Sequence, residues 1–357
     1  MTHAATILPI ALPLFVIASI GLSALLTRVI RKAAIHHGAV DIPTGGRKIH
    51  RLPTALWGGV ATGGVLIAGL LGVLPFVDGD DLHSAQVLGF AAAVLVLIIG
   101  GILDDTWNVS PSVQFLFPLA ASLIVVGSGT GVTLITNPTG PGVLSLAWSS
   151  FSVGSLHISF PGDLIAIVWL LTVTYAMKFL DGLDGLAAGM AAIGATLIAV
   201  LASSDAYFQP LVALIALMVA GVHLGFLPFN RQGSIFLGEG GSVIAGFSLG
   251  VLAIISGAKV ATAATALAIP LVDIVRVVIV RVMAGQSPFK GDSSHLHFRL
   301  LEAGLAPRNA ARLIWAVAAL FGLIALTLQT RGKMFLLAGL IVLVCIVSSV
   351  ALVKRKR

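Results

Sequence analysis

Charge is scarce in this chain. Of its 357 residues 10% are Asp, Glu, Lys or Arg, against 58% hydrophobic residues and a mean hydropathy of +1.07. A soluble globular domain carries about 25% charged residues. With so few, the chain cannot cover a surface facing water, which excludes a soluble enzyme and a disordered chain alike. Cysteine is almost absent too: Cys345 is the single one, so no intramolecular disulfide forms. The first ten residues hold no Lys or Arg. The basic n-region of a cleaved signal peptide is therefore missing, and the first apolar run is expected to stay as a span. No Gly-Lys-Ser/Thr ending follows any glycine-rich turn, which excludes a P-loop.

What is present is a series of apolar stretches. A spanning helix needs about 20 mostly apolar residues. Cutting at clusters of charge and turn residues gives eleven stretches, at 6–27, 55–77, 85–103, 111–127, 162–179, 186–203, 209–227, 240–257, 262–283, 309–327 and 334–353. The expected fold is an all-α polytopic membrane protein, one transmembrane domain over 1–357 with about eleven transmembrane helices. An odd count puts the termini on opposite sides. The tail Lys354-Arg355-Lys356-Arg357 is expected to be cytoplasmic by the positive-inside rule, which leaves the N-terminus outside. Of the 21 Lys and Arg, only Lys259, Arg331 and Lys333 then fall outside. Cytoplasmic loops are expected at 28–54 and 284–308, and an external loop at 128–161. In that loop Leu144–Trp148 and Leu156–Phe160 alternate with period two, which predicts a small external β-hairpin. No soluble domain or internal repeat is evident.

Five polar groups punctuate the apolar chain, all on the side assigned to the cytoplasm. Gly100-Gly101-Ile102-Leu103-Asp104-Asp105 ends the third stretch, and its adjacent carboxylates call for a cation, a metal or a shared proton. Lys178, Asp181 and Asp184 are three apart around the end of the fifth, among glycines that let a bulky ligand approach the backbone. Phe229-Asn230-Arg231 leads through Gly238-Glu239-Gly240-Gly241-Ser242 into the eighth, a glycine-rich helix entry suited to a phosphate. His295 and His297 follow Asp292 and precede Phe298-Arg299; two apart in an extended segment, they face the same way and are suited to a metal, a phosphate or a proton shuttle. Asp41 to Pro53, with Arg47, Lys48, His50 and Arg51, forms a basic, turn-rich strip suited to anionic lipid head groups or a diphosphate. A carboxylate at a membrane boundary is a functional hypothesis by default. Convergence of five groups on one face points to one site for an anionic ligand.

Taken together, these runs resemble the polyprenyl-phosphate N-acetylhexosamine-1-phosphate transferase family, nearest its undecaprenyl-phosphate N-acetylglucosamine-1-phosphate branch. Arg47-Lys48-Ile49-His50 with Gly58-Gly59, Asp104-Asp105, Asp181-Gly-Leu-Asp184-Gly-Leu-Ala-Ala-Gly189, Phe229-Asn230 with Phe236-Leu-Gly238, and His295-Leu-His297 stand in the family's order. The resemblance implies transfer of a sugar-1-phosphate from a UDP-amino sugar to a polyprenyl phosphate such as undecaprenyl phosphate. UMP is released, as the first step of a cell-envelope glycan pathway, in the membrane lipid of a bacterial inner membrane and from the cytoplasmic face. It implies that Asp104 and Asp105 position or deprotonate the lipid phosphate. Asp181 and Asp184 organise the nucleotide, the metal or both. Phosphate contacts are expected from Arg47, Lys48, His50, Lys178, Asn230, His295, His297 and Arg299. The implied cofactor is Mg²⁺, with Asp181 and Glu239 as its ligands. No nucleic-acid partner is expected, and a homodimer is compatible with the resemblance.

The sequence departs from the family at informative positions. Lys178 stands where the family usually has Asn, and Glu239 where it usually has Asp, the two places associated with Mg²⁺. A lysine beside a metal repels it, so a Lys178–Glu239 ion pair is an alternative occupant of that place. Phe298 replaces a common third histidine, and Tyr175 a common Asn. The alternatives are a metal-independent or non-catalytic relative, or a lipid or solute transporter. A transporter would concentrate polar groups at mid-span, where only Asp273, Arg276 and His223 occur. The Asp-Gly-x-x-Ala-Arg pattern of CDP-alcohol phosphatidyltransferases is absent.

Overall fold

The computed structural model describes residues 3–43, 53–77, 82–137, 140, 142–153, 156–205, 207–230, 234–257, 263–265, 267–283, 285 and 295–355. The apolar stretches become helices, in order α1 (His3–His36), α2 (Gly58–Val73), α3 (Ser84–Trp107), α4 (Pro111–Gly127), α5 (Gly162–Leu180), α6 (Leu186–Ala202), α7 (Pro210–Phe226) and α8 (Gly238–Ile255). They continue as α9 (Ala268–Met283), the short α10 (Leu296–Glu302), α11 (Pro307–Thr327) and α12 (Thr330–Arg355). Proline opens α4, α7 and α11, where its missing N–H costs no helical bond.

Among the described residues, seven helices are long and apolar enough to cross a membrane: Leu12–His36, Gly58–Phe76, Ser84–Trp107, Gly162–Leu180, Pro210–Phe229, Gly238–Ile255 and Pro307–Thr327. The chain is a helical multi-pass membrane protein. The sequence-based count is larger. Pro111–Gly127 and Leu186–Ala202 are apolar but have 17 residues each. At 1.5 Å per residue that is about 26 Å, against roughly 30 Å of hydrocarbon.

Helix α8 stands at the centre. Every residue from Gly240 to Ile254 is buried, as expected for a helix apolar all round, and it packs on α2, α3, α5 and α6. Large apolar side chains face outward instead, among them Leu22 and Leu25 on α1, Leu88 and Leu95 on α3, Leu164 and Val168 on α5 and Leu320 and Leu323 on α11. An exterior as apolar as the core suits lipid as the surrounding solvent. On α9 the one-turn spacing of Asp273, Val277 and Arg281 turns the buried face inward, while Val275, Ile279 and Val282 are exposed.

Two close approaches at glycine bring α8 against its neighbours. A Cβ on Gly101 of α3 would lie 2.3 Å from the Gly240 Cα, and one on Gly59 of α2 would lie 2.3 Å from the Gly241 nitrogen. Only hydrogen fits at these crossings, so the sequence must be glycine there. The result is that the C-terminal end of α3 and the N-terminal ends of α2 and α8 meet.

The segment 128–161 holds two antiparallel strand pairs rather than one hairpin: Leu134–Thr136 with Val143–Ser145, and Ala147–Val153 with Leu156–Pro161. The run expected as one strand, Leu144–Trp148, is divided between them. Leu146 is the corner. Its N–H bonds to the Thr133 carbonyl (2.8 Å), its carbonyl accepts from Gly162 N–H (3.0 Å), and its side chain is buried.

Candidate active site

The first group sits on the last turn of α3. Asp105 accepts the Trp57 N–H (3.4 Å) and the Glu239 N–H (3.1 Å), so one carboxylate joins three helix ends. Trp57 precedes α2 with φ of 70°, a left-handed conformation that turns the chain into the helix. Asp104, beside it, accepts from Gln114 Nε2 at 2.8 Å.

Gln114 lies in the first turn of α4, and its Nε2 also donates to the Val109 carbonyl (3.1 Å). Its oxygen accepts from Lys178 Nζ at 2.8 Å. Lys178, in the last turn of α5, is also ion-paired with Glu239 at the start of α8, and its ammonium lies 5.4 Å from the centre of the Tyr175 ring. A connected set therefore runs Asp104–Gln114–Lys178–Glu239, and the Glu239 backbone returns to Asp105. Four helices contribute, and none could assemble it alone.

The Asp181–Asp184 turn follows directly. Asp184 is exposed, while Asp181 is partly buried. Burial pushes the Asp181 carboxyl up to about 7, and the nearby charges of Glu239, Asp184 and Asp105 act in the same direction. Gly185, with φ of 78°, caps α6 in a left-handed conformation. Its N–H donates to Asn230 Oδ1 (2.8 Å), and Asn230 Nδ2 donates to the Ile235 carbonyl (3.2 Å). Both ends of this buried amide thus hold backbone. Asn230, expected as a phosphate contact, instead fixes the turn against the entry to α8.

The histidine pair reaches the same turn. A Cβ on Gly182 would fall 2.2 Å from His297 Nε2, so the ring presents this nitrogen to the glycine between the two aspartates. His297 is fully buried, and neither ring nitrogen has a protein hydrogen-bond partner among the described residues. Burial, with the His295 charge adding to it, holds His297 down to about 4. His295 Nδ1 donates to Asp273 Oδ2 at 2.8 Å, and Asp273 Oδ1 accepts the Leu296 N–H (3.0 Å) and Arg276 (2.7 Å). A ladder of rings links the groups: Phe115 on Tyr175 (6.2 Å), Tyr175 on Phe179 (6.0 Å), Phe179 on His295 (5.7 Å) and His295 on His297 (5.9 Å). Arg299 is buried in α10.

The fifth group is described only at its base. Val40–Asp41 pairs antiparallel with Thr54–Ala55, and Ala55 bridges in parallel to Ile235 just before α8. Arg47, Lys48 and His50, and Arg231 and Asp292 with them, lie outside the described residues.

Three residues essential to this geometry were not selected from sequence. Gln114 carried a signal, a lone amide in an apolar run. Trp57 carried none, because its contribution is a backbone N–H. Asp273 was noted only as a polar residue at mid-span, and its role as the holder of His295 depends on a contact 22 residues away.

The two expected metal ligands can be tested against this geometry. Glu239 is engaged by the Lys178 ammonium, and no group of three His, Cys, Asp or Glu among the described residues is arranged to hold a metal. Unit charges 4 Å apart interact by about 4 kcal/mol at an effective permittivity near 20, and a divalent ion would double the repulsion from Lys178. With Glu239 paired to Lys178, the Asp181–Glu239 set as it stands does not complete a metal site among the described residues.

A narrow cleft opens beside these residues. Asp104, Gln114 and Glu239 line it together with Leu97, Phe117, Pro118 and Val243.

Comparison with known proteins gives a consistent picture. The glycosyl transferase family 4 model matches residues 87–257. The chain is 28% identical over 337 residues, 91% of this chain and 88% of the relative, to a probable undecaprenyl-phosphate N-acetylglucosaminyl 1-phosphate transferase of Bacillus subtilis. It is 29% identical over 370 residues, 94% of this chain and 88% of the relative, to a decaprenyl-phosphate N-acetylglucosaminephosphotransferase of Mycolicibacterium smegmatis. It is 28% identical over 301 residues, 81% of this chain and 76% of the relative, to the undecaprenyl-phosphate alpha-N-acetylglucosaminyl 1-phosphate transferase of Escherichia coli K12.

Proposed function

We propose that this chain, a homologue of the polyprenyl-phosphate N-acetylglucosamine-1-phosphate transferases over most of its length, moves N-acetylglucosamine-1-phosphate, or a related N-acetylhexosamine-1-phosphate, from its UDP ester to a polyprenyl phosphate. A lipid phosphate oxygen attacks the sugar-linked phosphorus. The new P–O–P bond forms as the bond to the UMP oxygen breaks, and UMP leaves with the electron pair. The product is a lipid diphosphate sugar that opens a cell-envelope glycan pathway.

The observation that carries this reading is the joining of α2, α3, α4, α5 and α8 ends through Asp105, Asp104, Gln114, Lys178 and Glu239. Phosphoryl transfer needs chiefly positioning and charge neutralisation. Asp104 or Asp105 orients the acceptor phosphate or takes its proton. Asp181 and Asp184 orient the nucleotide, and His297 and His295 face the phosphates. We place the site on the cytoplasmic face of a bacterial inner membrane, in a chain with the N-terminus outside. The transporter alternative is less well supported, because Asp273 and Arg276 are bound to each other and His223 to the Val219 carbonyl.

Release of UMP from a panel of UDP-sugars, by membranes carrying the chain and supplied with undecaprenyl phosphate, tests the reading. UDP-N-acetylglucosamine or a close relative is expected to be consumed. Release equal to that of membranes lacking the chain, for every sugar, would overturn it.

A further inference from the structure

We propose that the Lys178 ammonium is the built-in cation of this site, binding the substrate diphosphate in place of a divalent metal. The proposal rests on the reading of the site as a nucleotide-sugar phosphotransferase centre and adds how its charge is balanced.

Lys178 ends α5 three residues before Asp181, and so points toward the helix ends where the carboxylates collect. An ammonium has three donors. One pairs with Glu239 and one with Gln114 at 2.8 Å, which leaves one for a ligand oxygen. The Tyr175 ring, 5.4 Å away, supports the charge from one side. The side chain is 15% exposed, so it is held in place without being sealed off from a ligand.

The surroundings assign the same role. Gln114 couples Lys178 to Asp104, and the Glu239 backbone couples it to Asp105. Asp104, Asp105, Asp181 and Glu239 are all acidic, and a diphosphate would add further negative charge. Some cation must offset them, and the cation that the helices themselves carry into their midst is Lys178. A divalent ion would have to displace the ammonium from Glu239 while standing beside it. An ammonium is a compact point charge suited to phosphate oxygens.

The test uses the full chain in detergent, with UDP as the probe and calorimetric affinity as the readout, in excess EDTA and in Mg²⁺; UMP release is measured in parallel. The wild-type affinity is expected to differ by less than about twofold between the two conditions. Lys178→Arg, which keeps the charge, should retain binding in EDTA. Lys178→Asn combined with Glu239→Asp should bind about tenfold more weakly in EDTA and recover in Mg²⁺. A wild-type affinity that rises about tenfold or more with Mg²⁺ would overturn the proposal, as would EDTA-resistant binding by Lys178→Asn. UDP binding without UMP release from any sugar would leave this proposal standing and refute the transferase reading. Failure to bind UDP in either condition would refute both.

Discussion

At the scale of single residues, the site depends on side chains that hold other side chains. Asp273 is the clearest case, because its two oxygens fix His295, the start of α10 and Arg276 together. Asp273→Asn should release the His295 ring, and misplacing a group by about 1 Å can cost about a hundredfold in rate. UMP release is expected to fall at least tenfold, by steady-state assay, while UDP affinity changes little. Near-wild-type turnover would show that His295 needs no such support. His297 makes a pH prediction. Its folded value of about 4 lies below the ordinary 6.5. The unfolded chain therefore binds more protons between those limits, and stability falls as the pH drops through that window. The full effect is about 3 kcal/mol. Thermal unfolding in detergent from pH 7 to pH 4 should show the loss, and His297→Phe should flatten it. The family-like motifs were legible at this scale because each is local. The reach of the Asn230 amide to Gly185 and Ile235 was not legible, because it exists only after the helices have crossed.

At the scale of elements, the apolar runs translate into helices because nothing else satisfies their backbone in lipid. Their ends are less predictable. The strand alternation at Leu144–Trp148 was visible, but not the corner at Leu146, whose bonds go to Thr133 and Gly162 across the loop. The α3–α8 crossing was hidden for a similar reason: Gly240-Gly241 reads as a helix entry suited to a phosphate, while the residue Gly240 packs against, Gly101, is distant in the sequence. A methyl group on Gly101 would collide with the Gly240 backbone at 2.3 Å. Gly101→Ala should cost about 1–3 kcal/mol by overpacking and separate Asp105 from the Glu239 N–H, so activity should drop further than stability. Gly72 on α2, whose added Cβ would meet nothing closer than 3.8 Å, is the control. Gly72→Ala is expected to be neutral or stabilising by about 0.5–1 kcal/mol, read from the melting temperature of the purified chain.

At the scale of the whole molecule, the scarcity of charge was the most informative feature of the sequence. It identified a helical membrane protein, and the placement of the remaining charges suggested one site at one end. The structure adds an exterior that is apolar as well as the core, glycine at the helix crossings, and the central place of α8. The orientation makes its own prediction. With Cys345 replaced by Ala, single cysteines introduced at Ser150 and at Lys354 should react with an impermeant thiol reagent from opposite sides of sealed cells and inverted vesicles. Labelling of both from one side would make the number of spans between Ser150 and Lys354 even, against the seven expected there.

The central claim is a covalent transfer, so the most direct measurement follows the transferred phosphorus. Membranes carrying the chain receive undecaprenyl phosphate and UDP-N-acetylglucosamine labelled at the sugar-linked phosphorus. The label is predicted to appear in a lipid-soluble diphosphate in step with unlabelled UMP, and Asp105→Asn should abolish both. Label that stays in the nucleotide sugar, or passes to lipid equally well with Asp105→Asn, would contradict the account.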